Sequence, residues 1–85
     1  MEKSIYTREY TLLLQVLRSV RESAGLTQVE LASKLEETQM FVSKCERGER
    51  RLDVIELRNW CGALGITLDE LIRSLESAVS GSAAG

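Results

Sequence analysis

Apolar residues recur along this chain at helical spacing, with no sustained alternation of the kind a strand shows. Tyr6, Tyr10, Leu13, Leu14, Leu17 and Val20 form one stripe, and Gly25 supplies a stop, which predicts a first helix from about Thr7 to Ala24. Thr27-x-x-Glu30 is a capping-box spacing, so a second helix should start at Gln28 and reach about Leu35. Thr38 can cap a third helix that turns Val42 and Cys45 inward and ends near Arg47 and Gly48. Asp53-x-x-Glu56 opens a fourth, with Leu57, Trp60, Cys61 and Leu64 on its inner face and Gly65 as its stop. Thr67-x-x-Glu70 opens a fifth, carrying Leu68, Leu71, Ile72 and Leu75. Short connections and the absence of proline complete the sequence of an all-α fold, a compact five-helix bundle. Residues 1–76 should form one domain, and the small polar stretch 77–85, SAVSGSAAG, a flexible C-terminal tail.

Composition narrows the function classes. At 85 residues and 44% hydrophobic, the chain is one domain near the lower limit for a self-sufficient core. It has no long apolar run, and MEKSIYTREY lacks the basic-then-apolar layout of a secretory signal, so a cytoplasmic protein without membrane contact is expected. Two cysteines and no histidine cannot supply the usual four ligands of a structural zinc site. Cys45 and Cys61 are read as small apolar residues on inner helix faces. Without histidine, a glycine-rich phosphate loop or a metal-ligand cluster, no catalytic constellation is present, and Ser43 beside Lys44 lacks a base to activate it. No enzyme activity, cofactor or metal is expected.

The most informative stretch is Thr27–Arg51, TQVELASKLEETQMFVSKCERGERR. It holds two short helices, opening at Gln28 and eleven residues later at Gln39, and then an arginine-rich loop. Leu31, Leu35, Val42 and Cys45 give each helix one apolar face. Ala32 is small where the axes would approach most closely, and Glu36, Glu37 and Thr38 make a link too short for a long antiparallel hairpin. These features fit a helix-turn-helix, which would leave Gln39, Met40 and Lys44 on an outward face able to enter the major groove of DNA. The net charge of −2 hides an asymmetry: residues 1–51 sum to +1 and residues 52–85 to −3. Lys44, Arg47, Arg50 and Arg51 cluster where a phosphate backbone would lie, against Glu46 and Glu49.

At this resolution the resemblance becomes specific. Leu17, Arg18, Arg21, the run Gly25 to Gln28, Glu30 to Ala32, Leu35, Gln39, Val42 to Lys44, Glu46 to Gly48 and Ala63 to Gly65 stand in an order and spacing that resembles the DNA-binding domain of phage lambda repressor and Cro-like regulators. This is the xenobiotic-response-element (XRE) helix-turn-helix family, and the likeness spans about Leu13 to Leu75. The resemblance implies a five-helix fold that binds double-stranded DNA, often as a homodimer on a palindromic operator, as a repressor or autoregulator. It further implies that Thr38, Gln39, Met40 and Lys44 reach base edges, that Gln28 braces a phosphate and the first recognition residue, that Arg47 and Arg51 lie beside the DNA backbone, where Arg50 of the same basic cluster is also placed at a phosphate, and that Arg21 and Glu46 form an internal ion pair. Physical chemistry supports these roles independently. Glutamine pairs with adenine in a bidentate manner, lysine donates to guanine, and a methionine side chain can meet a thymine methyl. Phe41 is read as a buried side chain, with groove contact and a dimer surface as alternatives.

Three positions depart from the family pattern. Glu36 stands where glycine is usual in the turn; if that position needs a positive φ, the side chain costs about 1 kcal/mol. Glu37 replaces an apolar residue, and Leu52 stands where proline is frequent before the fourth helix. An alternative function uses the same fold to grip a protein partner such as a toxin, with the acidic C-terminal half, Tyr6 and Tyr10 as the working surface.

Overall fold

Five α-helices account for the secondary structure: α1 (Lys3–Ser23), α2 (Gln28–Leu35), α3 (Gln39–Glu46), α4 (Val54–Leu64) and α5 (Leu68–Ala84). The computed structural model describes residues 3–84, with side chains described for 8–81, and no strand occurs among the described residues. Local chemistry sets the helix starts. Thr27 and Asp53 cap α2 and α4 in full capping boxes with Glu30 and Glu56. Thr67 and Glu70 exchange the same two hydrogen bonds at the start of α5.

The stops share one geometry. After α1, α2, α3 and α4, two backbone N–H groups fold back onto the last-turn carbonyls. This closure places Gly25, Gly48 and Gly65 at φ of 76°, 81° and 82°. After α2 the same job falls to Glu36, at φ 58° and ψ 41°, the one non-glycine residue with positive φ among those described. The left-handed turn expected there is therefore real, and a side chain occupies it.

Two differences from the sequence reading concern helix ends. α1 begins at Lys3, about a turn before Thr7. The expected flexible tail from Ser77 is instead helical: α5 continues through Ala84. Alanine is the strongest helix former, and the extension lies against α1, where Ser74 and Ala78 face Leu12, Val16 and Val20 across a shallow groove. Packing and propensity together outweigh the cost of the serines and Gly81 in this segment. The expected placement of the Tyr6 side chain lies outside the described residues.

The core gathers Leu13 and Leu17 from α1, Leu31 and Ala32 from α2, Val42 and Cys45 from α3, Leu57, Trp60, Cys61 and Leu64 from α4, and Leu71 from α5. Ala32 is 3% exposed, which lets α2 and α3 cross closely, as the sequence reading requires. Ile72, expected with the inner residues of α5, is 39% exposed. Helix α3 is buried on the side of Val42 and Cys45, with Phe41 packed partly against the core, and its other side faces outward.

Candidate nucleic-acid interface

Thr38 holds α3 at its start: its Oγ1 accepts from the Phe41 N–H at 3.1 Å. The first turn beyond it is open. Gln39 and Lys44 are exposed, and Met40 is 56% exposed. Met40 and Lys44, four residues apart, share one side of the helix. Ser43 lies between them and the core, half-buried, and accepts from Arg47 Nη1.

A buried ion pair lies behind this face. Arg21 meets Glu46 with Nε–Oε2 at 2.6 Å and Nη2–Oε1 at 3.1 Å, and both side chains are buried. Arg21 Nη1 also donates to the Leu26 carbonyl at 2.8 Å. The pair ties α1 to the end of α3 and to the turn before α2. The Glu46 hydrogen bond raises the guanidinium pKa further, against the opposing effect of burial. Gln28, half-buried at the start of α2, donates from Nε2 to Glu46 Oε1 at 2.9 Å. Gln39 in turn donates from Nε2 to Gln28 Oε1 at 2.7 Å. Arg21, Glu46, Gln28 and Gln39 therefore form one continuous chain from the interior to the exposed tip of α3.

The arginines of the following loop are each held. Arg47 pairs with Glu49 at 2.8 Å, and Arg50 with Glu56 at 2.7 Å. These hydrogen bonds lower the Glu49 and Glu56 carboxyl pKa values. The Arg50 guanidinium lies 4.9 Å over the Phe41 ring, and Phe41 lies 6.2 Å from the Trp60 ring. Phe41 is thus half-buried between a core tryptophan and a surface cation. Arg51 stacks over Tyr10 at 4.2 Å.

Sequence reasoning missed the role of Tyr10. Its hydroxyl accepts from the Leu52 N–H at 3.1 Å while its ring carries Arg51. This also accounts for leucine where proline is frequent: a proline has no N–H to donate. Tyr10 is consequently half-buried and engaged with the chain itself, not a free apolar surface for a partner. Only the pairing across the fold shows this, because Tyr10 and Leu52 are 42 positions apart.

Among the described residues no group of histidine, cysteine, aspartate or glutamate side chains could hold a metal, and no helix is long and apolar enough to cross a membrane. Cys45 and Cys61 are free and buried, and burial raises both thiol pKa values.

No curated protein matches the chain. Solved structures do. An XRE-family like protein from Pseudomonas syringae pv. tomato str. DC3000 is 45% identical, with a TM-score of 0.82 over 88% of this chain and 92% of that one. The clp gene regulator ClgR from Corynebacterium glutamicum is 28% identical, with a TM-score of 0.79 over 89% of this chain and 81% of that one. A second ClgR structure is 27% identical, with a TM-score of 0.74 over 82% of this chain and 91% of that one. The helix-turn-helix family model matches residues 17–71, from the core of α1 to Leu71 of α5. The exposed leading turn of α3, the ion pair that fixes it and this match agree: the chain belongs to the XRE family of helix-turn-helix transcription regulators.

Proposed function

We propose that this chain binds a palindromic DNA operator as a homodimer, with α3 in the major groove, and acts as a repressor or autoregulator. The observation that carries the reading is the free first turn of α3. Thr38, Gln39 and Met40 are exposed there, Lys44 is exposed one turn further along, and the helix behind them is anchored by Val42, Cys45 and the Arg21–Glu46 pair. In this reading Thr38, Gln39, Met40 and Lys44 meet base edges, and Gln28, Arg47, Arg50 and Arg51 lie at phosphates. Thr38 can still donate its hydroxyl hydrogen, since only its oxygen is used by the cap.

Selection from a randomised duplex pool tests this, followed by fluorescence anisotropy on the recovered sequences. The expected motif is symmetric, with half-sites one helical turn apart, about 34–36 Å. Gln39→Ala and Lys44→Ala should each lose discrimination at one base pair by about 1–3 kcal/mol. Tight binding to which neither substitution makes a difference would reject the assignment of α3 to the groove. Sedimentation of the complex reads the stoichiometry directly.

A further inference from the structure

The hydrogen bonds behind Gln39 have a direction. Arg21 grips both carboxylate oxygens of Glu46. A carboxylate offers acceptors only, so the Gln28 amide must turn its nitrogen toward Glu46, and it does so at 2.9 Å. With that nitrogen held at Glu46, Gln28 turns its oxygen to Gln39, whose Nε2 donates to it at 2.7 Å. Each amide is thus set by the one before it, and the series starts at a fixed charge. Gln39 is left with one N–H and its Oε1 for use outside the protein. A donor beside an acceptor complements adenine, which shows the N7 acceptor and the N6 donor in the major groove. Guanine shows two acceptors, N7 and O6.

We infer that Glu46, held by Arg21, is a specificity-determining positioning residue. Through Gln28 it fixes the orientation of the Gln39 amide, so that the protein accepts adenine and rejects guanine at the base pair Gln39 meets. The inference rests on the placement of α3 in the groove proposed above. It gives the buried ion pair a second role besides holding α1 to α3. It also predicts the consequence of making the anchor neutral. In Glu46→Gln the atom that meets both Gln28 Nε2 and Arg21 Nη2 is no longer always an acceptor, because the new amide can present either its oxygen or its nitrogen there. Where the nitrogen faces Gln28, Gln28 reverses, Gln39 reverses after it, and two donors face the groove.

The experiment uses the motif selected from the randomised duplex pool. The position read by Gln39 is the one whose preference disappears in Gln39→Ala. Competition between duplexes carrying adenine or guanine there gives a ratio for each variant. The parent should favour adenine about tenfold. Glu46→Gln should bring the ratio toward parity. Gln28→Met keeps the ion pair and the fold; it should weaken binding to all sequences and also lose the adenine preference. Loss of a phosphate contact alone would leave that ratio unchanged. If Glu46→Gln does not fold, Gln28→Met decides alone. Folded variants that keep the parent's ratio overturn the positioning role and leave the groove assignment standing. A parent with no preference that Gln39→Ala removes overturns both.

Discussion

Glu36→Gly should make this protein more stable, although it deletes a side chain and adds a flexible residue. Glu36 closes α2 at φ 58° and ψ 41°, inside the left-handed region. A residue with a Cβ pays about 1–2 kcal/mol there. The side chain is exposed, and among the described residues no hydrogen bond or ion pair engages its carboxylate, so its removal forfeits no contact. Glycine gives back about 0.4–1 kcal/mol through the greater freedom of the unfolded chain. The balance is a gain of about 0.5–1 kcal/mol. For a domain of this size that raises Tm by about 2–8 °C.

Urea and thermal unfolding, followed by helical circular dichroism and by Trp60 fluorescence, would measure the gain. Glu36→Ala is the necessary control, because it removes the charge but keeps the Cβ and should show little of the gain. The reverse test is Gly65→Ala: Gly65 sits at φ 82° with nothing within 4 Å of an added Cβ, so the loss reads backbone strain alone. Gly48→Ala should lose more, because its Cβ would also meet Leu14 Cδ1 at 3.2 Å. A Glu36→Gly protein no more stable than Glu36→Ala would refute the strain argument.

Arg21→Met strands a buried carboxylate and should cost about 3–5 kcal/mol in urea unfolding, much of it recovered in Arg21→Met/Glu46→Leu, where neither charge remains. Burial raises the Cys45 and Cys61 thiol pKa values above the ordinary 9.0, so full stability is present below that pH. As pH rises past it the unfolded thiols ionise first and stability falls until the folded thiols follow; Cys45→Ala/Cys61→Ala should show a shallower decline above that pH in the same unfolding assay. Arg51→Ala should weaken DNA binding evenly across sequences and reduce the slope of log affinity against log salt by about 1, measured by anisotropy on selected and unrelated duplexes.

Much of this fold is legible because its determinants are local. Three capping boxes lie within four-residue windows, and they mark the starts of α2, α4 and α5 where the structure has them. The inward positions of α3 and α4 follow from helical period. What escaped is settled between distant elements. The stretch after Glu76 reads as a linker by composition, yet its side of the bundle is closed by α1, which composition does not encode. Tyr10 reads as one more apolar stripe residue, yet it is the acceptor for Leu52 and the platform for Arg51. The Arg21–Glu46 pair was accessible only through family resemblance, since nothing local links positions 25 residues apart. The Glu46–Gln28 bond, which joins that pair to the exposed helix tip, was not foreseen at all.

The charge arrangement explains how an acidic chain could still meet DNA. Arg47 and Arg50 are already extended toward Glu49 and Glu56, and Arg51 toward the Tyr10 ring. These are exposed contacts, and an exposed ion pair contributes only about 0–1 kcal/mol. A phosphate arriving at Arg47 or Arg50 would replace one anion by another, at small net cost in pair energy, and would release a counterion from the duplex. The side chains would also lose less conformational freedom than solvated arginines, because their internal partners already order them. The displaced Glu49 and Glu56 would remain near the backbone and oppose it, as would Glu36 and Glu37 in the turn. Non-specific affinity should therefore be low, leaving discrimination to the few side chains on the exposed face of α3. In such a protein the orientation of a single amide matters more than it would on a strongly basic surface. This is why a buried carboxylate behind Gln39 can influence which sequence is bound.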